Sequence, residues 1–285
     1  MPEASRESGA AFLPPDYSER FARFFRWWCR HNMVRKKFFA LRVAGETEGD
    51  LRAFAGHDGP VIAATNHVSW WDPLVMLTLH DLELCTRERK RTLRAPMDIV
   101  QLERFKFFRK LGTFGIDPDD PESLGAMSEH LDGYFRTDHA PTLWINPQGR
   151  FADVRDELEI RPGVARVAAL DERAAVVAVA IEYAFWLDAK SEVFVRFETA
   201  RPEARTTTGW LRAIREAMVS NQRRLAEAVR SRDAGRFVNR VGGEGANVHP
   251  LYGLWLRLRG KAGQIDDRSR PGGEPATSEG EHAGA

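Results

Sequence analysis

The apolar residues of this chain fall in short runs that stop at polar turns, and this pattern limits the fold more than any other feature. The longest uninterrupted aliphatic run, residues 174–181 (AAVVAVAI), ends at Glu182. It is far below the roughly 20 apolar residues that a membrane-spanning helix needs, so any contact with a membrane should be peripheral. Residues 61–64 (VIAA), 113–116 (TFGI) and 142–145 (TLWI) have the length and composition of buried strands. Residues 92–96 suggest another strand, and residues 192–198 alternate so that Val193, Val195 and Phe197 share one face. Helical patterns lie between these runs. One begins at Pro73 (PLVMLTLH), one lies near residues 103–110, and residues 123–135 carry Leu124, Met127, Leu131 and Tyr134 at helical spacing. Residues 163–170 and 210–232 continue the alternation. The order predicts an α/β fold, a largely parallel mixed sheet covered by helices.

An amphipathic helical segment is expected to precede this domain. Residues 17–42 hold eight aromatics and eight Lys or Arg against a single acid, Glu19. On a helix, Tyr17, Phe21, Phe24, Phe25 and Trp28 form one stripe, flanked by Arg20, Arg23, Arg26 and Arg30. Such a helix suits an anionic membrane surface, the arginines meeting headgroups and the rings entering the interface. It equally suits a helix packed on the domain with solvated arginines. Residues 1–16 read as a disordered N-terminus without the apolar stretch of a secretion signal, which points to the cytoplasm. Residues 43–240 form the α/β domain. Residues 241–285 form an extension, rich in Gly, Pro, Ser, Glu and Ala and expected to be disordered from about residue 260.

The formal net charge of the 285 residues is +1, which gives no global field for a polyanion, so no nucleic-acid partner is expected. The two cysteines, Cys29 and Cys85, are too few for a Cys-rich zinc site or a disulfide framework. A metal centre would have to recruit His67 and Asp72 with His57 or His80, yet no His-Glu-x-x-His pair is present, and no metal is expected.

Two strand-end turns carry the chemistry. Residues 66–72 (NHVSWWD) follow the first core strand and set His67 and Asp72 within one turn of each other. A carboxylate on one imidazole nitrogen fixes the tautomer and leaves the other nitrogen to accept a proton, which makes a general-base dyad. Asp72 before Pro73 also reads as a helix start, with His67 a loop residue. Ser69 lacks a Gly-x-Ser-x-Gly elbow and reads as a turn residue. Residues 144–150 (WINPQGR) form the second turn, in which Gly149 permits close backbone approach and Arg150 can fork onto an anion.

Together these segments resemble the glycerolipid acyltransferase family, whose type members are the bacterial lysophosphatidate acyltransferases, over roughly residues 43–200. Asn66, His67 and Asp72 match the family's first motif, Asn-His followed by four residues and Asp. Asn146-Pro147-Gln148-Gly149 aligns with its Phe-Pro-Glu-Gly motif, Arg161-Pro162-Gly163-Val164 with the basic-to-Gly stretch beyond, and Ala178-Val179-Ala180 with a fourth motif lacking its proline. The second and third motifs are altered. Gly115-Ile116-Asp117 leads to Pro118 where the family has the arginine that meets the acceptor's phosphate, Gln148 replaces Glu, and Phe151 falls on the usual Arg.

The resemblance implies an O-acyltransferase, similar to acyl-CoA-dependent 1-acylglycerol-3-phosphate O-acyltransferases. It implies His67 as base, Asp72 as its orienter, and Asn66, Pro147, Gln148, Gly149 and Arg150 as substrate-binding residues. No cofactor is implied beyond the co-substrate, acyl-CoA or acyl carrier protein. The acceptor is a lipid hydroxyl, such as that of a lysophospholipid, and the membrane is met at its inner face through residues 17–42. Arg150 can replace the missing phosphate contact, or the acceptor is a neutral glycolipid for which Gln148 supplies a donor and an acceptor. A non-catalytic lipid- or membrane-binding protein on the same scaffold is the alternative.

Overall fold

A computed structural model describes residues 12–86, 88–186 and 188–243. Of the disorder expected over residues 1–16 and from about residue 260, residues 1–11 and those beyond 243 lie outside the described residues, whereas Phe12 and Leu13 form a short strand paired to Ile116 and Gly115. In chain order the elements are β1 (Phe12–Leu13), α1 (Glu19–Trp28), α2 (Arg35–Lys37), β2 (Ala40–Ala44), α3 (Glu48–Gly56), β3 (Val61–Thr65), α4 (Asp72–Leu79), β4 (Ala95–Asp98), α5 (Ile99–Arg104), β5 (Thr113–Ile116), α6 (Pro121–Thr137), β6 (Thr142–Ile145), α7 (Gly163–Ala168), β7 (Ala175–Ala184), β8 (Glu192–Ala200), α8 (Thr207–Ser231) and β9 (Phe237–Gly242). Turns of π-helix over Cys29–Val34 and His80–Leu84 extend α1 and α4.

Six strands form the main sheet in the order β6-β3-β7-β8-β2-β9. β3 runs parallel to β6 and β7, and β2 parallel to β8, whereas β7–β8 and β2–β9 are antiparallel. A smaller sheet, β1-β5-β4, meets the β6 edge where Arg94 bridges to Leu143. The sheet is mixed and helix-covered, as the run pattern predicts.

Strand periodicity separates the two cores. Val61 and Ala63 join Val177, Val179 and Ile181 on one face, with Val75, Leu79 and Ala22 from the helices. Ile62 and Ala64 face the other way, onto Met127, Leu131, Val164, Trp210 and Ile214. Val193, Val195 and Phe197 share the first face, as their spacing indicates. Helix starts are capped locally. Asp120 accepts from the Glu122 and Ser123 N–H groups ahead of α6, and Thr206 accepts from Gly209 N–H ahead of α8.

The N-terminal segment differs from a continuous helix over 17–42. Helical structure stops at Lys37, and Ala40–Ala44 is a fully buried strand between β8 and β9. Tyr17, Phe21 and Phe25 pack against the core, but Phe24 leaves the expected stripe and stands exposed beside Trp27, with ring centroids 6.3 Å apart. The strand expected at 92–96 forms at Ala95–Asp98, and the helix expected near 103–110 divides into α5 and a 3₁₀ stretch over Lys106–Leu111.

Candidate active site

The carboxyl ends of β3 and β6 lie side by side, with Ala64 paired to Ile145, so the two motif-bearing turns emerge together at one sheet edge. Ligand sites of open α/β sheets collect at such strand ends. Asn66 prolongs β3. Its side chain accepts from Ile181 N–H at 2.8 Å and donates to Ile181 C=O at 2.9 Å, which pins the residue before the histidine to β7.

From this anchor the chain turns back on itself. His67 Nδ1 lies 2.8 Å from Asp72 Oδ2. The same oxygen accepts from the N–H groups of Val68 at 2.7 Å and Ser69 at 2.9 Å. The other oxygen, Oδ1, accepts from the Tyr183 hydroxyl at 2.7 Å. Asp72 is wholly buried and opens α4, so its carboxylate sits at the helix N-terminus among these donors. Burial and the neighbouring Asp72 charge push the Tyr183 phenol far above its ordinary range, so it serves only as a donor. With Nδ1 held as donor to Asp72, Nε2 is the ring nitrogen left to accept a proton. Ser69 Oγ accepts from Trp71 N–H at 3.2 Å and has a turn role.

The second turn fixes the histidine's main chain. Gln148, buried, accepts from His67 N–H at 3.0 Å through Oε1, and Ala152 N–H donates to His67 C=O at 2.8 Å. Asn146 Nδ2 donates to the carbonyls of Thr65 and Asn66 at 3.2 and 3.3 Å. Gly149 has φ +67°, and a Cβ there would sit 3.1 Å from Arg161 Nε, so backbone conformation and a close side chain both call for glycine. The Phe151 ring lies over His67, centroids 4.0 Å apart, and Trp70 packs on Phe151 at 5.1 Å.

The structure therefore brings His67 and Asp72 together and gathers Asn66, Pro147, Gln148 and Gly149 around them as a scaffold. Pro147 holds Arg161 N–H through its carbonyl at 2.9 Å. Arg150 turns outward and pairs with Glu159 at 2.9 Å. Tyr183 is a site residue that the motifs did not indicate, and Asn146, which lies inside the motif of the second turn, was not among the expected substrate-binding residues. Period-two spacing from Val179 and Ile181 does put Tyr183 on the dyad's face of β7, and this was the signal available for it. An apolar cleft of about 60 Å³ reaches Pro73 and Asn146 and is walled by Met76, Leu77, Met97 and Trp144. Among the described residues no group of three His, Cys, Asp or Glu could hold a metal ion, and no helix is long and apolar enough to cross a membrane.

Comparison with known proteins gives one family. Residues 42–182, which contain both turns, match the family described as Acyltransferase. No curated protein matches the chain. Among solved structures, the X-ray structure of the Legionella pneumophila ATPase DotB is similar at 10% identity with a TM-score of 0.30, over 78% of this chain and 61% of that one. The chain thus spans under two thirds of DotB, and a likeness this weak assigns neither fold nor activity.

Proposed function

From the match of residues 42–182 to the Acyltransferase family, we propose that this protein moves a fatty acyl group from a thioester donor, acyl-CoA or acyl carrier protein, to a hydroxyl of a lipid acceptor. The observation that carries the reading is the 2.8 Å contact between His67 Nδ1 and a fully buried carboxylate, Asp72, that is itself held by three further donors.

In this reading His67 Nε2 takes the acceptor's hydroxyl proton as the oxygen attacks the thioester carbonyl. The C–O bond forms, the C–S bond breaks, and the proton passes from the imidazolium to the departing thiolate. Asp72 stabilises the imidazolium between these events. General-base help of this kind contributes roughly 10²- to 10⁴-fold, and the rest comes from positioning and from stabilising the oxyanion.

A peripheral position on the cytoplasmic face of a membrane fits the same reading. Phe24 and Trp27 are more than half exposed on a helix that carries Arg20, Arg23 and Arg30. The test is turnover: incubation with a long-chain acyl-CoA or acyl carrier protein, vesicles and a panel of lysophospholipid and glycolipid acceptors should release free thiol and yield an ester identifiable by mass spectrometry. Vesicle binding without thiol release from either donor would leave only a lipid-binding scaffold.

A further inference from the structure

Beside the dyad stands an aromatic ledge that acyl transfer by itself does not require. Phe151 lies over the His67 ring at 4.0 Å, Trp70 stands against Phe151 at 5.1 Å, and the two are 41% and 65% exposed. Large rings left open to water forgo burial, and an exposed pair next to a reactive imidazole marks a surface that a ligand covers.

The two guanidiniums nearest the ledge already have carboxylate partners. Arg150 donates to Glu159 and Arg161 to Asp119, each at 2.9 Å. Gln148 Oε1 is committed to His67 N–H. Pro118, which offers no side-chain donor, occupies the turn beside Asp119. A phosphate arriving here would share each guanidinium with a carboxylate already on it and would meet the negative faces of two aromatic rings.

We infer that the acceptor presents an uncharged, polyhydroxyl ring of the sugar type, its C–H face against Phe151 and Trp70 and one rim hydroxyl at His67 Nε2. The inference rests on the acyl-transfer reading and names the acceptor class of that site. A pyranose has C–H bonds across one face, which the electron-rich ring faces attract, and hydroxyls around its edge, which the imidazole can deprotonate. The reaction converts an acyl thioester and a glycoside into a sugar ester and a free thiol, with the hydroxyl proton ending on the thiol.

The test compares kcat/KM for thiol release with two acceptors, octyl glucoside below its micelle concentration and a lysophosphatidate of similar chain length, using one acyl-CoA. The wild type should prefer the glucoside by about tenfold or more. Phe151→Arg should lower the glucoside-to-lysophosphatidate ratio by about tenfold, a ratio that partial misfolding does not move. Without donor, octyl glucoside should quench fluorescence in the wild type that is absent from Trp70→Phe. Preference for lysophosphatidate, unmoved by Phe151→Arg, overturns the inference and leaves acyl transfer standing. So does a loss of vesicle binding in Trp70→Ala and Phe151→Ala with an unchanged acceptor ratio, which would make the ledge a membrane contact. No thiol release with either acceptor, from acyl-CoA or acyl carrier protein, overturns both readings.

Discussion

The Tyr183 hydroxyl donates to Asp72 Oδ1 at 2.7 Å while Asp72 Oδ2 faces His67 Nδ1 at 2.8 Å, so β7 and the loop after β3 share a single buried carboxylate. Tyr183 also packs with Phe38, which in turn meets Trp71 edge-on. Tyr183→Phe keeps that packing and removes one hydrogen bond to a charged group, worth about 1.5 kcal/mol. The variant should lose about tenfold in kcat with little change in KM. An unchanged kcat would deny Tyr183 a positioning role.

Asn66 ties the histidine loop to β7 by two buried hydrogen bonds with Ile181. Asn66→Ala leaves the Ile181 N–H and C=O without these partners, at roughly 1–3 kcal/mol for each buried group. Urea unfolding should report a loss of about 2–4 kcal/mol. A change below about 0.5 kcal/mol would mean that water or a shifted strand satisfies both groups.

The outward rings of α1 separate membrane contact from core packing. Phe24 and Trp27 are 59% and 54% exposed, whereas Phe21 and Phe25 pack inward. Phe24→Ala with Trp27→Ala should reduce cosedimentation with anionic vesicles by at least about tenfold without lowering stability, and added salt should weaken the binding of the wild type. Equal binding by the double variant would return the helix to a purely structural part.

His80 links acid to stability. It is fully buried, with Nε2 donating to Arg91 C=O at 2.9 Å and Nδ1 accepting from Trp144 Nε1 at 3.3 Å. Burial, assisted by the Arg26 and Arg91 charges, pushes its pKa down to about 3. The unfolded chain, in which the imidazole titrates near about 6.5, therefore binds this proton first, and stability falls as pH drops from that value toward 3, by up to about 1.4 kcal/mol per pH unit. His80→Gln should be less stable near neutrality yet lose stability less steeply between pH 6.5 and 4. Parallel unfolding curves would assign the acid sensitivity to other groups.

The parts legible in the sequence were those determined locally. The runs at Val61–Thr65, Thr113–Ile116 and Thr142–Ile145 are apolar, short and closed by polar turns, and they became strands almost residue for residue. The dyad was visible for the same reason, since one turn holds both members. β2 was hidden because the basic aromatic composition runs through residue 42, and only partners more than 150 positions away, β8 and β9, make Ala40–Ala44 a strand. In α3 the core-facing residues are Leu51, Phe54 and Ala55 alone, too few to stand out as a periodic pattern. Tyr183 lies 111 positions from Asp72, and the outward turn of Arg150 depends on Glu159 across a loop. No local spacing encodes either contact.

The most direct test of the account is thiol release from a long-chain acyl-CoA, with acceptor and vesicles present, by the wild type, His67→Ala and Asp72→Asn. The account predicts turnover by the wild type, a loss of about 10²-fold or more in His67→Ala, and a smaller loss in Asp72→Asn, which keeps the fold but weakens the imidazolium's partner. Undiminished turnover by folded His67→Ala would contradict it, because the proton would then be leaving the acceptor without the imidazole around which the site is built.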